Sequence, residues 1–396
     1  MPKRMIHFGV IGCGLMGREF ASAAARWCHL LNLDFQPQIV AACDPVPAAL
    51  QWFKENVPTL RLATEDYHQL LADPGVEAIY CAVPHNQHAQ LYIDIIRAGK
   101  HLLGEKPFGM DLPANQAILQ AIQEAGDRAP MVRCSSEFPF WPGPSLISQW
   151  LRAGRFGKII EVEAGFWHSS DLNPLKPINW KRMVAINGEY GCMGDLGMHV
   201  LHIPLRFGWK PRNVRALLSK VVAERPKKAG TSEMVPCETW DNAILACEVE
   251  TSPAQPQGER GSDRFPMLLS TKRIAPGQGN TWFIKIYGTS LSAEFSTKQP
   301  KQIRSLPYTP GGEQVWHESD LPYHAPYPAI TGEIFEFGFP DGILQMWAAF
   351  CDELVHGREG MSQPFYCVTP EETAISHQLF TAALESQRRG ATVTLA

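Results

Sequence analysis

The chain has 396 residues, of which 45% are hydrophobic and 19% are charged, and its formal net charge at pH 7 is -4. This length exceeds that of one ordinary domain and the composition can build a sizeable core, so we expect two folded domains. Acidic and basic residues are spread along the chain without a basic stripe, which argues against a nucleic-acid partner. No uncharged apolar run reaches roughly 18 residues, so the sequence predicts no membrane-spanning helix.

The first residues, MPKRMIHFGVIG, lack the extended apolar segment and the cleavage site of a signal peptide, and they predict a first strand. The ten cysteines are scattered, and no two of them have C-x-x-C spacing. Cysteines inside predicted strands and helices favour buried, reduced thiols over a disulfide framework or a metal site. These features predict a cytoplasmic protein without a bound metal.

The first 135 residues alternate short apolar runs with amphipathic segments. The run from Ile6 to Gly12 precedes GREFASAAARWCHLL, which has helical spacing, and the same alternation continues through PQIVAACD and PAALQWFKENV to PMVRCSS. Strands that are apolar on both faces and separated by helices are typical of a parallel sheet covered on both sides. The sequence therefore predicts a doubly wound α/β nucleotide-binding domain over residues 1–135.

The pattern changes after residue 135, where longer alternating runs such as WDNAILACEVE and WFIKIYGTSLSAEFST appear. Alternation of this kind predicts an α+β domain over residues 136–396 with a large, mostly antiparallel open sheet. Turn-forming residues predict loops at 224–236 and 251–266. A final helix is predicted from Pro370 to Arg389, with acidic residues in its first turn and arginines in its last.

The segment GVIGCGLMG places Gly12, Gly14 and Gly17 directly after a predicted strand and at the start of a predicted helix. In that context the first glycine permits a tight turn, the second lets a pyrophosphate approach the backbone, and the third lets helix and strand pack closely. The helix N-terminus then offers amide donors to the phosphates. The intervening residues complete the predicted cofactor loop: Cys13, Leu15 and Met16.

An acid at the end of the second strand is expected to hold the ribose hydroxyls of a dinucleotide, and Asp44 has that position. It lies further from the glycines than is usual, and the segment HLLNLDFQPQ accounts for the extra length. Pro45 and Val46 follow Asp44, and neither can receive a 2′-phosphate. The sequence therefore favours NAD over NADP.

Three further motifs follow in order: AVPHNQHAQ, then Glu105-Lys106-Pro107, then GDLGMH. With the glycine loop, they make the sequence resemble the Gfo/Idh/MocA oxidoreductases, the family of glucose-fructose oxidoreductase and inositol dehydrogenase. That family carries a pattern like T-P-N-x-x-H near the nicotinamide. Here Pro84 and His88 match the pattern, and His85 stands where asparagine is common. The resemblance implies that these three residues contact the cofactor.

The resemblance also implies that Lys106 points at the oxygen of the reacting carbon and that Glu105 lies near the nicotinamide. An ammonium at that oxygen stabilises developing alkoxide charge. Asp195 and His199 are four residues apart and share one face of a helix. Imidazole titrates near neutral pH, so His199 is the expected proton acceptor, and Asp195 would orient it. His202 is interpreted as a packing residue of the same helix.

Substrate contacts are expected from aromatic residues that lie beside polar groups, because a sugar ring has apolar C–H patches and hydroxyls. For each tryptophan, packing in the core or at a subunit interface is the open alternative. The candidates are Glu137, Trp141, Trp167, His168, Trp180 and Arg182.

Three functions are compatible with these features. The first is an NAD-dependent oxidoreductase acting on a secondary alcohol or ketone of a sugar, sugar derivative or cyclitol. The second is a glycoside-cleaving enzyme of the same family that oxidises, eliminates and reduces again, so that NAD is recycled. The third is a non-catalytic sugar or nucleotide sensor, against which the retained Lys106, Asp195 and His199 argue. The resemblance further implies a homodimer or homotetramer.

Overall fold

The computed structural model describes residues 3–250, 264–321, 325–332 and 335–395. These residues form ten helices and eighteen strands. The helices are α1 (Leu15–Ala25), α2 (Pro47–Asn56), α3 (Tyr67–Ala72), α4 (His88–Arg97), α5 (Leu112–Ala125), α6 (Pro142–Arg152), α7 (Val184–Asn187), α8 (Cys192–Arg206), α9 (Phe339–His356) and α10 (Pro370–Arg389). The strands are β1 (Arg4–Ile11), β2 (Phe35–Cys43), β3 (Leu62–Thr64), β4 (Ala78–Cys81), β5 (His101–Gly104), β6 (Val132–Cys134), β7 (Ile159–His168), β8 (Lys210–Pro211), β9 (Asn213–Ser219), β10 (Glu224–Pro226), β11 (Met234–Pro236), β12 (Asn242–Glu250), β13 (Arg264–Lys272), β14 (Asn280–Gly288), β15 (Leu291–Ser296), β16 (Gln302–Pro307), β17 (His317–Asp320) and β18 (Val393–Thr394).

The chain divides into two compact units, each assembled from three stretches. Unit 1 comprises Met1–Gly109, Pro113–Trp141 and Tyr323–Thr373. Unit 2 comprises Met110–Leu112, Pro142–Pro322 and Ala374–Ala396. The sequence-based division at residue 135 separates two continuous stretches, and the structure differs from it chiefly in the stretch from 323 to 373.

That stretch groups with unit 1 because α9 packs on the core of the first sheet. The Trp347 ring lies 4.8 Å from the Phe8 ring of β1, between centroids. Asp341, in the first turn of α9, forms an ion pair with Arg26. These contacts join residues more than 300 positions apart, so no local pattern in the sequence indicates them.

Unit 1 contains a six-stranded parallel sheet in the order β3-β2-β1-β4-β5-β6. All four residues of β4 are buried, as expected for a central strand covered on both faces. The reversal of strand order between β1 and β4 places the carboxyl ends of these strands at a topological switch point, where α/β sheets bind their ligands. The prediction of a doubly wound α/β domain is confirmed.

Unit 2 contains a ten-stranded sheet in the order β17-β16-β15-β14-β7-β13-β12-β9-β18, with β8 paired to β12. Its pairs are antiparallel apart from β7 with β13, which run parallel. Alternate residues of β12 and β13 are buried, so one face of the sheet is covered and the other is open. Every residue of α8 from Cys192 to Leu205 is buried. The predicted large, mostly antiparallel sheet is confirmed.

The predictions for the loops and the last helix have three outcomes. The loop prediction at 224–236 is wrong, because β10 and β11 pair there as an antiparallel hairpin, and Arg225 is buried and donates to the carbonyl of Asp171. Of the second predicted loop, residues 251–263 lie outside the described part of the chain, and 264–266 begin β13. The last helix has the predicted bounds.

Candidate active site

The glycine loop of unit 1 has the geometry that a dinucleotide requires. Gly12 has a φ of +94°, and a Cβ at this position would lie 2.3 Å from the carbonyl oxygen of Ala82. A Cβ at Gly17 would lie 2.2 Å from the carbonyl oxygen of Gly12. A Cβ at Gly14 would meet nothing within 4 Å, and Gly14 is also the N-cap of α1. The space beside Gly14 at the start of α1 is therefore open, and the loop fits the phosphates of NAD.

Asp44 is held rigidly beside this loop at the end of β2. Its two carboxylate oxygens accept hydrogen bonds from the backbone amides of Cys13 and Val46, both at 2.8 Å. Burial, followed by the nearby Asp44, raises the pKa of the Cys13 thiol. The carboxylate keeps further lone pairs for ribose hydroxyls, so Asp44 also fits NAD.

Leu15 and Met16 complete the cofactor loop, which has a cationic neighbour that sequence reasoning missed. Leu15 is 74% exposed, and Met16 is half-buried. The guanidinium of Arg18 lies 5.2 Å from the ring centroid of Trp52, close enough for a cation–π contact. An arginine one position after the third glycine was the available signal.

The loop after β4 turns its histidines inward. His88 is fully buried, and its Nε2 lies 3.0 Å from the carbonyl oxygen of Val83. The His88 ring also stacks on Tyr92 with centroids 4.9 Å apart. His85 is 3% exposed and follows Pro84 in a short 3-10 turn. His88 therefore packs inside this loop, against the backbone of Val83 and the ring of Tyr92.

Glu105 and Lys106 follow β5 directly. They belong to a cluster of four ionisable residues that also contains Tyr80 and Glu137. Glu105 is buried, and its carboxylate accepts a 2.7 Å hydrogen bond from the hydroxyl of Tyr80. Its carbonyl oxygen accepts one from Tyr92 at 2.8 Å. Lys106 is half-buried, and the Lys106–Pro107 peptide is cis. The glutamate is thus anchored in the sheet, which agrees with separate tasks for the two charges.

Glu137 belongs to the same cluster, although the sequence assigned it to the substrate side of the second domain. It lies three residues after β6, which pairs with β5. The side chain is buried, and burial followed by the charge of Glu105 raises its pKa to about 7, whereas Lys106 acts in the opposite direction. Burial and then Glu105 also raise the pKa of Tyr80. Unit 1 therefore holds a carboxyl group that titrates near neutral pH.

Trp141 is a packing residue of unit 1. It is 6% exposed, its ring lies 5.1 Å from that of Phe337, and a Cβ at Gly342 would lie 2.7 Å from its indole nitrogen. The alternative interpretation as a core tryptophan is the one that agrees with this position.

In unit 2, Asp195 and His199 lie one turn apart on the buried helix α8, as predicted. The Nζ of Lys181 lies 3.0 and 3.3 Å from the two carboxylate oxygens of Asp195, and Arg273 forms a second ion pair with the same carboxylate. His199 is 4% exposed, and its ring stands edge-on to Phe166 at 5.6 Å. The motif therefore places an imidazole close to a doubly ion-paired carboxylate.

Arg182 does not have the exposed position that a substrate contact would need. It is fully buried and pairs with Asp171 and with Asp241, whose Oδ1 lies 3.1 Å from its Nη1. Arg273 pairs with Asp171 as well as with Asp195, and burial followed by the charge of Arg182 lowers the pKa of Arg273 to about 9. Sequence reasoning missed this network, because its members are brought together only by the fold.

The candidates at the end of β7 lie on opposite faces of the sheet. The Trp167 indole donates to the Ser270 hydroxyl at 2.8 Å, and the ammonium of Lys272 lies 4.6 Å from its ring centroid. The His168 ring instead lies 4.7 Å from Phe166, the residue that also contacts His199. Successive strand residues alternate between faces, so His168, and not Trp167, shares the face of His199. Trp180 is half-buried beneath the Lys181 ammonium, 5.5 Å from its ring centroid.

Among the described residues, no helix combines the length and the apolar composition needed to cross a bilayer. Within the same part of the chain, no three His, Cys, Asp or Glu side chains cluster in a way that could hold a metal ion. The ten cysteines all lie among the described residues, none of them is in a disulfide, and nine are buried.

Comparison with known proteins finds a family match in the first part of the chain and relatives over about three quarters of it. Residues 6–132 match a family described as oxidoreductases with an NAD-binding Rossmann fold. A levoglucosan dehydrogenase from Pseudarthrobacter phenanthrenivorans is 23% identical over 314 residues, which cover 76% of this chain and 75% of that protein. An uncharacterized oxidoreductase from Synechocystis sp. is 26% identical over 301 residues, which cover 75% of this chain and 73% of that protein.

The fold is also that of a solved relative. A levoglucosan dehydrogenase in complex with NADH superposes with a TM-score of 0.83 over 99% of this chain and all of the other, at 19% identity. The predicted family, enzyme class and cofactor are confirmed. Residues 6–132 thus match the NAD-binding part of the Gfo/Idh/MocA oxidoreductases, and relatives that cover about three quarters of the chain are named as dehydrogenases or oxidoreductases.

Proposed function

We propose that the chain is a dehydrogenase that transfers hydride between NAD and a secondary alcohol or ketone of a sugar, sugar derivative or cyclitol. The observation that carries this proposal is His199, a buried imidazole one turn after the ion-paired Asp195, in a chain whose unit 1 has an open glycine loop. The substrate class is supported by the relative named levoglucosan dehydrogenase.

Each residue has a distinct task in this proposal. The nicotinamide, when bound, accepts or donates the hydride. Lys106 stabilises the negative charge that develops on the substrate oxygen, because an ammonium in a poorly hydrated site interacts strongly with an alkoxide. His199 accepts the hydroxyl proton, for which a neutral imidazole is suited near pH 7. His168 and Trp180 remain the proposed substrate contacts of unit 2.

The cofactor is proposed to rest on the glycine loop, with Asp44 accepting hydrogen bonds from the ribose hydroxyls. A 2′-phosphate would approach the Asp44 carboxylate and be repelled, so NAD is preferred to NADP. Pro84, His85 and His88 shape the loop after β4, and Glu105 is proposed to lie near the nicotinamide.

The proposal is tested by following nicotinamide reduction by the purified protein with NAD+ or NADP+ and a panel of sugars and cyclitols that includes levoglucosan and myo-inositol. We expect reduction of NAD+ with at least one polyhydroxylated substrate and slower reduction of NADP+. If no substrate reduces NAD+ but a chromogenic glycoside releases its aglycone only when NAD+ is present, the NAD-recycling alternative replaces the dehydrogenase. If neither reaction occurs and NAD+ still binds, the sensor alternative is favoured.

We also propose that the protein forms a homodimer or homotetramer through the open face of the unit 2 sheet. Leu217, Ile244 and Leu268 are exposed on this face, and Ile244 lies directly opposite Leu217 in the ladder. Trp167 and Phe283 line a depression of about 510 Å³ on the same face. An apolar surface of this kind is suited to a twofold contact with a second copy of the chain.

We expect light scattering of the wild type to give a molar mass of two or four times 44.1 kDa. We expect Ile244→Lys, which places a charge on this face, to give monomers. A wild-type monomer at micromolar concentration would contradict the proposal.

A further inference from the structure

The carboxylate of Asp195 is held between two cations in unit 2. Lys181 places its ammonium 3.0 and 3.3 Å from the two oxygens, and Arg273 pairs with the same group. The Asp195 side chain is 3% exposed, whereas that of Lys181 is 33% exposed. The Asp195 carboxylate therefore has two cationic partners, and it shares one of them, Arg273, with Asp171.

The two cations differ in how the rest of the network uses them. Arg273 is 7% exposed and is shared between Asp195 and Asp171, so it belongs to the buried ion network. Lys181 reaches Asp195 from a partly exposed position at the border of that network. Removing Arg273 would leave two buried carboxylates short of a partner and endanger the fold. Lys181 is the cation that can be removed at the edge of the network.

The backbone holds Lys181 firmly in this position. Its amide donates to the side-chain oxygen of Asn179 at 3.0 Å, and its carbonyl accepts from the hydroxyl of Thr239 at 2.9 Å. These bonds fix the short 3-10 turn Trp180–Arg182, from which the ammonium reaches across to α8. The backbone of unit 2 therefore holds Lys181 in place for its contact with Asp195. Exposed ion pairs between long, freely rotating side chains lack such support.

This contact bears on His199, which lies one turn after Asp195 on α8. An unpaired carboxylate near an imidazole favours the imidazolium and raises its pKa. A carboxylate that is ion-paired to two cations exerts much less of this effect, because their fields oppose its own. A neutral imidazole at pH 7 is the state that accepts a proton.

The other charged or titratable groups around His199 come from several elements. The elements packed on α8 are β7, β12, β13 with the residue that follows it, and β14, which contributes the Trp282 indole that donates to the His199 carbonyl at 2.9 Å. The groups are His168 from β7, the buried Cys247 from β12, Arg273 after β13, Lys181 from the 3-10 turn, and Cys192, Asp195, His202 and Arg206 from α8 itself.

We propose that Lys181 is a positioning residue for the reaction: by neutralising Asp195 it keeps the proton affinity of His199 low enough for the imidazole to remain an unprotonated acceptor at neutral pH. The role of His199 as proton acceptor rests on the proposed function. The effect of Lys181 on the imidazole is a property of unit 2 and exists without any substrate.

The test is an NMR pH titration of the full-length protein with isotope-labelled histidine, in which the His199 signal is assigned by its loss in His199→Gln. We expect Lys181→Met to raise the pKa of His199 by about one unit. Lys181→Arg, which keeps the charge, should restore the wild-type value. Lys176→Met is the matched control, since the Lys176 ammonium lies 3.2 Å from Asp171 of the same network and should leave the His199 signal unchanged.

A double-mutant cycle tests whether the effect of Lys181 on the pKa of His199 depends on Asp195. In an Asp195→Asn background the Lys181→Met shift should be much smaller, because the carboxylate that holds the partly exposed ammonium beside α8 is absent and the ammonium can turn into solvent, where its field is screened. A wild-type pKa of His199 in folded Lys181→Met, or an undiminished shift in the Asp195→Asn background, would overturn the proposal. If Lys181→Met does not fold, as judged by circular dichroism, Lys181→Gln is titrated in its place.

Activity supplies an independent readout once a substrate is known. In Lys181→Met the acidic limb of the pH profile of kcat/KM should move upward by the same amount as the NMR pKa. A protein whose His199 pKa shifts as expected but which reduces NAD+ with no sugar or cyclitol would refute the proposed function and leave the Lys181 effect standing. The two failures are therefore distinguishable.

Discussion

Replacing Lys106 by alanine is expected to lower kcat by roughly 100- to 1,000-fold on an identified substrate, the effect of removing one group that stabilises an alkoxide. The Kd for NAD+ should change little, because the glycine loop and Asp44 account for the phosphate and ribose contacts. Steady-state kinetics give kcat and KM, and quenching of tryptophan fluorescence gives the Kd for NAD+.

Two controls separate the charge of Lys106 from its structural context. Lys106→Arg keeps the charge in a different geometry, and we expect partial activity. Lys54→Ala removes an exposed lysine of the last turn of α2 in the same unit and should leave both constants unchanged. Near-normal turnover by Lys106→Ala would remove Lys106 from the mechanism.

The parts of the fold that the sequence predicted correctly are those with a local physical signal. The parallel sheet follows from short apolar strands between helices, and α10 follows from an acidic first turn and a basic last turn. The hairpin of β10 and β11 was missed because each of its strands is only three residues long and the partners of the buried Arg225 lie about 50 residues away. The place of α9 was missed for the same reason.

The candidate site shows the same limit. The glycines were interpreted correctly because a tight turn and a close approach of helix and strand each require a residue without a Cβ at a fixed position in the local sequence. The residue type alone does not show which way a side chain faces. His88 and Arg182 were expected to contact ligands, and both are buried on protein partners. Lys181 and Arg273 escaped notice because Asp195 meets them only in the folded unit.

Glu137 is expected to make the stability of unit 1 depend on pH. Its pKa is raised from 4.5 to about 7 in the folded protein, mainly by burial and then by Glu105. The folded state therefore holds the proton more tightly than the unfolded state, and this stability is fully present below about pH 4.5. It is lost as the pH rises through about 7, and at about 1.4 kcal/mol per pKa unit the loss reaches about 3 kcal/mol.

Replacing Glu137 by glutamine keeps the shape of the protonated acid and removes the charge. We expect the variant to resist urea better than the wild type at pH 8 and to differ little from it at pH 4.5. The measurement is the urea midpoint of unfolding of the full chain across this range, with Glu65→Gln, an exposed acid of unit 1, as the control. A difference between variant and wild type that does not grow with pH would contradict the raised pKa.

Glu105 provides the last step of this argument, because it is the second cause of the raised pKa of Glu137. Removing its charge in Glu105→Gln leaves burial as the main cause, so the pKa of Glu137 should fall and the loss of stability should be complete at a lower pH. The amide can still accept the hydrogen bond that Tyr80 donates, so the contact survives while the charge does not. An unchanged midpoint pH in Glu105→Gln would mean that burial alone holds the proton on Glu137. A lowered one would show that the charge of Glu105 contributes to the raised pKa of Glu137.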